Sequence, residues 1–376
     1  MNPSKIIQVP NDTQLLELML TDNASSPECY KSTNYWAVYQ KKFLPELYSF
    51  GLHNFRRREN SILASFGASD LSSQPSIDLS LLKFFSNQYI ANIKVVQKFV
   101  FFINTYLNKI LPIKNCYDIK TEDLEKLCYE FAHIYGQQVG ARSINQFEAS
   151  TIGNPSAVFE VNKKKYTMTL VNYYLQYVYC YKYIDFNSLK IIVELGSGSG
   201  KQVEIIKKLH PDICFILYDI PPQLYVCEQY LKTIFPESVV SYRDTRAMEC
   251  FPEDRKGKIF ILGTHKFPLI ENLKVDLFWN SASFQEMEPE IVANYLKYVN
   301  RCVQTVYLRE AMAGKEKAKK REKHGVIQQT LLKHYEKYLD NYILIDLSPS
   351  IILPRMTKGT TYSDSFWKFQ KNDKIS

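Results

Sequence analysis

Residues 191–202 read I-I-V-E-L-G-S-G-S-G-K-Q. Three apolar residues, Ile191, Ile192 and Val193, lead into an acid, Glu194, and then into glycines at alternate positions, Gly196, Gly198 and Gly200. Such a stretch suits recognition of a polar ligand. Glycines let the backbone turn tightly and let a ligand approach without meeting a Cβ, and the helix start behind them offers unpaired N–H groups. A second acid, Asp219, ends the apolar run C-F-I-L-Y. It stands about 20 residues past the glycines, where a carboxylate reaches the two hydroxyls of a ribose. The simpler readings are a ligand-free glycine turn and, for Asp219, a helix cap before Pro221-Pro222.

Two familiar nucleotide loops fit poorly. Gly200-Lys201 matches the end of the NTPase phosphate loop, but Leu195 replaces its first glycine and Gln202 its Ser/Thr. Lys201 also stands where the dinucleotide motif G-x-G-x-x-G needs its third glycine. Strand, acid and G-x-G-x-G together resemble the first motif of the class I S-adenosylmethionine (SAM) methyltransferases.

In open α/β sheets, ligands sit at the carboxyl ends of the strands. That rule selects Glu194, Gly196, Ser197, Gly198 and Gly200, then Asp219 with Ile220, Thr264 with His265, residues 280–286, and Arg309 with Glu310. Methyl transfer is an in-line displacement, so the protein must hold the acceptor oxygen in line and remove its proton. The run N-S-A-S-F-Q-E-M (280–287) follows an apolar strand. It is expected to open a helix, with Asn280, Ser281 and Ser283 near the cofactor and the two serines capping. Glu286 is the first candidate base and Gln285 a candidate to orient the acceptor; a first-turn acid on a solvated helix is the simpler reading of Glu286. His265 is the second candidate base, with a structural histidine as its alternative. Tyr174, from the Tyr-rich segment 166–183, and Arg309 are placed on the acceptor side.

N-S-A-S-F-Q-E-M, V-E-L-G-S-G-S-G, Y-D-I-P-P (218–222) and F-E-A-S-x-x-G-N-P (147–155) together resemble a family of sugar O-methyltransferases of bacterial surface-glycan clusters. The resemblance runs in pieces over roughly residues 145–310. It implies SAM as cofactor and a sugar or nucleotide-sugar hydroxyl as acceptor. The chain departs from the superfamily pattern in having no acid after 258–262, so adenine contacts are expected from Thr264, His265 or the Arg243-Asp244 region. Asn280-Ser-Ala-Ser also lacks the prolines of the N/D-P-P-Y/F motif of enzymes that methylate base amino groups, which disfavours that chemistry.

The elements that must position these residues divide the chain. From 191 onward strands and helices alternate, which indicates a parallel sheet, and 342–347 with 363–369 read as a closing pair. The expected fold is α/β, a Rossmann-like seven-stranded class I methyltransferase sheet in a domain over 151–376, with a mainly helical region over 1–150 as substrate cap or dimerisation unit. Within that region residues 1–30 read as a loosely ordered lead-in, 31–50 and 81–111 as helices, and Arg56, Arg57 and Arg58 as a solvated face. Leu124, Leu127, Cys128, Phe131 and Ala132 repeat at helical spacing.

Composition narrows the partners. The chain has 376 residues, 45% hydrophobic and 23% charged, ordinary values for a globular protein. The net charge is +8, and residues 311–324 hold six Lys/Arg against two Glu, half of that excess. This opposes a broad nucleic-acid footprint. The run 315–323 reads as a solvated segment; its rivals are a lid over an anionic nucleotide-sugar and a phosphate contact in an RNA or protein methyltransferase. A non-catalytic SAM- or nucleoside-binding module is the other alternative. Eight scattered cysteines, none in C-x-x-C, read as free thiols of a reducing compartment. No metal is expected, since Glu286 and Glu310 alone make a thin ligand set. Neither a signal peptide nor a membrane span is visible, so a cytoplasmic protein is expected, with a homodimer left open.

Overall fold

The computed structural model of the chain describes residues 8–58, 61–68, 70, 121–321, 323–351 and 362–370. The helix expected over 81–111, most of the loop expected over 67–76, and Cys116 lie outside the described residues.

The first helix corrects the expectation of a loose lead-in. α1 (Thr13–Ser25) is capped by Asp12, whose carboxylate accepts from the Leu15 amide at 3.0 Å. Leu15, Leu16 and Met19 give it a buried side. α2 (Asn34–Phe50) buries Tyr35, Phe43 and Leu47 and ends at Gly51, in the left-handed region at φ 57°. α3 (Thr121–Gln138) buries Cys128 and Ala132 as their spacing predicts, but Leu127 is exposed. A short antiparallel hairpin that the sequence did not announce follows, β1 (Phe159–Val161) with β2 (Lys164–Tyr166). Its turn residues Asn162 and Lys163 both have positive φ, as tight two-residue hairpins require. α4 (Met168–Tyr181) then begins at Thr167, whose hydroxyl accepts from the Leu170 amide.

The strand–helix alternation follows in the expected order: β3 (Ile191–Leu195), α5 (Lys201–Leu209), β4 (Cys214–Asp219) and α6 (Pro221–Ile234). Next come β5 (Val239–Val240), β6 (Ile259–Gly263), β7 (Val275–Ser281), α7 (Pro289–Cys302) and β8 (Val303–Glu310). The chain closes with α8 (Leu332–Tyr338), β9 (Tyr342–Pro349) and β10 (Ser363–Phe369). The sheet order is β5-β6-β4-β3-β7-β8-β10-β9. Pairing is parallel from β5 to β8, and β10 runs antiparallel to β8 and β9. Among the described residues this sheet has eight strands, not seven. The extra one is the two-residue β5 at the sheet edge, too short to distinguish in sequence from an extended connection.

Every residue of β3 and β4 is buried, because helices cover both faces. Alternate side chains serve opposite cores. Ile192, Phe215, Leu217 and Trp279 join the cluster of α4, α5 and α6, while Val193, Ile216, Phe278 and Val306 join that of α7. α1 and α2 share the first cluster, so the N-terminal helices and the sheet have a common core. Among the described residues no helix is long and apolar enough to cross a membrane.

The arginine run is only in part a solvated face: Arg57 is exposed and Arg58 half-buried, but Arg56 is buried. Arg56 and Asp70 have side chains only 1% exposed, paired at 2.6 Å. Lys201, the first residue of α5, reaches the same Asp70 oxygen at 2.8 Å and the Gly67 carbonyl at 2.9 Å. Arg56 also donates to the Ser150 and Ile152 carbonyls and to the Tyr230 hydroxyl. Tyr230 in turn donates to Glu204, which accepts from the Ser150 amide as well. Burial raises the carboxyl's pKa, but the two flanking cations more than offset it and hold Asp70 ionised. Removing one member of such a group strands buried charge. Asp70→Ala is therefore expected to lose about 3–5 kcal/mol of stability, measured by urea denaturation. A loss below about 1 kcal/mol would place this pairing among ordinary surface contacts.

Candidate active site

β3 and β4 lie side by side and end together, so the glycine loop and Asp219 open onto the same space. Gly196, Gly198 and Gly200 all have positive φ (81°, 55° and 79°), which L side chains rarely adopt. Space is equally restrictive at the first of them: a Cβ on Gly196 would lie 2.4 Å from Ser283 Oγ. The Gly198 amide donates to Asp219 Oδ2 at 2.7 Å, and the Ile220 amide donates to Oδ1 at 2.8 Å. The second acid is thus bonded to the loop itself. It is not the cap of α6, whose cap position is Ile220 with no side-chain bond.

A cavity of ≈ 410 Å³ opens here. Its floor is Glu194, Gly196, Ser197, Gly198 and Asp219. Ser281, Ala282, Ser283, Glu286 and Arg309 form one wall. Tyr35, Trp36 and Tyr39 of α2, residues 64–67, and Thr169, Asn172, Tyr173 and Gln176 of α4 line the rest, with Lys315 and Tyr362. Gln202 and Gln223, from the first turns of α5 and α6, also line it. Both amide atoms of each are buried with no partner among the described residues. Orphaned buried amides are rare in folded proteins and mark a place for a polar ligand.

The floor is electrostatically unusual. Burial, and then the neighbouring Asp219, push the Glu194 carboxyl up to about 8. Burial also lifts Asp219 to about 7, against the pull of its two amide donors. Glu286 is raised by burial and opposed by Lys315, whose Nζ lies 3.0 Å from its carboxylate. Glu310, beneath the 281–286 turn, is pushed by burial to about 8 while accepting from the Ser283 and Gln285 amides. Among the described residues no group of three or more His, Cys, Asp or Glu side chains is placed to hold a metal ion.

The structure brings most of the expected residues together, but not all. Glu194, Gly196, Ser197, Gly198, Asp219, Ser281, Ser283, Glu286 and Arg309 line the cavity. Gly200 does not; it is packed against Leu231 and starts α5. Ile220 and Thr264 are also outside, the Thr264 hydroxyl donating to the Tyr30 carbonyl at 2.6 Å. Asn280 is a brace, donating to the Leu195 carbonyl and accepting from the Phe284 amide. Gln285 is a second brace: its carbonyl accepts from the Ala311 amide and its amide donates to Tyr362. Acceptor contact by Gln285 is therefore corrected to a structural role. Residues 284–286 form a single 3-10 turn and α7 begins after Glu288, so Ser281 and Ser283 cap no helix. Ser281 donates to Gln176 instead.

Two further assignments change. His265 does not line the cavity; it sits in a narrow crevice with Met19, Asn23 and Pro221 that adjoins it through Asp219. Burial, and then Lys266, lower its pKa there; its place outside the cavity lining is what leaves it without contact with an acceptor. Tyr174 is fully buried and donates to the Arg142 carbonyl at 2.9 Å; its neighbour Tyr173 faces the cavity. The sequence held a signal for this. Thr169, Asn172, Tyr173 and Gln176 recur at i, i+3, i+4 and i+7, a polar stripe on an otherwise apolar helix. Gln202, Gln223 and Lys315 were also missed; Lys317, Lys319, Lys320, Arg321 and Lys323 are exposed as expected, but Lys315 turns into the cavity.

No protein-family model and no curated protein sequence matches the chain. Solved structures with partial similarity include the mitomycin 7-O-methyltransferase MmcR, with 11% identity over 54% of this chain and 54% of that one, at a TM-score of 0.36. Another is the O-methyltransferase NcsB1 from neocarzinostatin biosynthesis, solved with S-adenosyl-L-homocysteine and 1,4-dihydroxy-2-naphthoic acid (14% identity, 50% and 51% covered, TM-score 0.32). Methyltransferase CalO6 is a third (16% identity, 49% and 58% covered, TM-score 0.31). Each match spans between half and three-fifths of the other chain's length, and the chemistry of the cavity rests on its own residues.

The raised Glu194 carboxyl gives a test on the free protein. An unfolded glutamate ionises near about 4.3, the folded one near about 8. Between these values the folded chain holds the extra proton, so stability contributed at low pH is lost as pH rises towards 8. Glu194→Gln removes this loss. Its thermal midpoint should exceed that of wild type by a margin that grows from about pH 5 to pH 8 and then levels off. A margin independent of pH would contradict the electrostatic picture.

Proposed function

We propose that this chain is a SAM-dependent O-methyltransferase acting on a hydroxyl of a sugar or nucleotide-sugar. The observation that carries the reading is the hydrogen bond between the Gly198 amide and Asp219 in the floor of the cavity. It joins a glycine loop and a ribose-reading acid in one place, beside the unpartnered amides of Gln202 and Gln223. These residues fit an adenosyl ligand: Asp219 to accept from the ribose hydroxyls, the two glutamines to bond its polar edges, and Glu194 to face its positive charge. SAM, when bound, supplies a methyl group on a sulfonium that is already a good leaving group.

The remaining work falls to the chain. Glu286, which lines the same cavity, takes the proton of the acceptor hydroxyl in this reading. Tyr35, Trp36, Tyr39, Tyr173 and Tyr362 offer ring faces, and Arg309 a cation, around the same space. This mixture of flat apolar and polar surface suits a sugar ring, whose C–H faces and hydroxyls demand both. The N-terminal helical region acts as the cap: α2 and residues 64–67 form the wall that excludes water from the acceptor.

Calorimetric titration tests the reading. SAM and S-adenosylhomocysteine should bind wild type with micromolar affinity, weakened about 10- to 100-fold or more by Asp219→Ala through loss of charged hydrogen bonds. Glu286→Gln should keep that affinity and lose about 10²- to 10⁴-fold in methyl transfer to a nucleotide-sugar acceptor. Well-folded protein that binds neither ligand would sink the proposal.

A further inference from the structure

We propose that Lys315 is a positioning residue that holds Glu286 ionised and aimed at the acceptor, and that it is delivered by a segment clasped to α2. The inference rests on the methyltransferase reading. Lys315 Nζ stands 3.0 Å from Glu286 Oε1, with the two side chains only 15% and 7% exposed. The same ammonium lies over the Tyr35 ring, 5.3 Å from its centroid. Among the described residues, the other groups that act on Glu286 are acidic or neutral: Glu310 from β8, Asp219 from β4, Tyr35 from α2 and Gln285 from its own turn. Arg309, the other cation of the cavity, lies 3.9 Å from Asp364. Among the described residues Lys315 is the cation in contact with it. A buried carboxyl in such company would take up a proton at neutral pH, and a protonated acid cannot accept the hydroxyl proton.

The lysine is held by its backbone and by the fold of the segment that follows. Gln329 donates to the Lys315 carbonyl at 2.6 Å. Val326 returns to residues 316–318, its amide donating to the Glu316 carbonyl and its carbonyl accepting from the Ala318 amide. The start of α2 grips this segment and the base together. Asn34 donates to the Lys323 and Gly325 carbonyls, the Tyr39 hydroxyl meets His324 Nε2 at 2.8 Å, and Thr33 donates to the Glu286 carbonyl at 2.8 Å. The base and its cation are therefore assembled by one structural unit. In the transfer the acceptor O–H bond breaks with its proton passing to Glu286, the oxygen bonds the methyl carbon, and the methyl–sulfur electron pair stays on sulfur. Lys315 remains an ammonium throughout, and Glu286 returns the proton to water.

The test is a carbon-13 NMR titration of glutamate-labelled full-length protein, with Glu286→Gln used to assign the Glu286 carboxyl signal. Lys315→Met should raise the Glu286 pKa by about 1–3 units, and Lys315→Arg should leave it within about half a unit of wild type. An unmoved Glu286 in the methionine variant overturns the inference, as does an equal shift in both variants. Calorimetric titration of SAM into the same samples keeps the two claims apart. Absence of SAM binding in wild type defeats the methyltransferase reading whatever Glu286 does, while a wild type that binds SAM and a Glu286 unmoved by Lys315→Met defeat this inference alone.

Discussion

Asp70 stands between two cations, Arg56 and Lys201, where all three side chains are shielded from water. Taking three charges out of water costs several kcal/mol each, and the cost is met only when geometry and further hydrogen bonds are complete. Here they extend to Ser150, Ile152, Tyr230 and Glu204. The consequence is positional. Lys201 is the residue directly after Gly200, so the network fixes residues 67 and 70 against the start of α5. That brings the Phe66 carbonyl over Gly198 and sets one wall of the cavity. Residues 66–70 and the glycine loop are thus held together as one unit.

A second constraint shapes another wall. Glu310 ends β8 and accepts from two amides of the 281–286 turn, while Asn280 ties the same turn to the end of β3. Gln285 adds a link to Ala311. The residues between these braces, Ser281, Ala282, Ser283 and Glu286, are left facing the cavity. Ala282 takes a left-handed φ of 60° to do so, a conformation that persists where surrounding structure dictates it. The polar residues of N-S-A-S-F-Q-E-M therefore divide between scaffold and lining.

The sheet was legible in the sequence because its signals are local. Apolar runs ending in Glu194 and Asp219 mark fully buried parallel strands, and the glycines mark a turn that only they can make. Arg56 was not legible, since three arginines in a row look the same whether solvated or buried, and the partners lie at Asp70, Ser150 and Ile152. The F-E-A-S-x-x-G-N-P segment carried the missing information without showing it: Ser150 and Ile152 receive Arg56, and a Cβ on Gly153 would lie 2.3 Å from the Phe55 ring. Tyr174 against Tyr173 was an error of helical phase. Lys315 was hidden in a charged run whose other members are exposed, because which lysine turns inward is decided by the chain's return at Val326 and by α2.

The central claim is that the floor formed by Gly196, Gly198, Glu194 and Asp219 is an adenosyl site. Crystals grown with S-adenosylhomocysteine test it most directly. The account predicts the ligand in this cavity, with its ribose hydroxyls on the Asp219 carboxylate and polar atoms against Gln202 or Gln223. Ligand bound elsewhere, or a fully ordered protein whose glycine loop touches no ligand at saturating concentration, would contradict it.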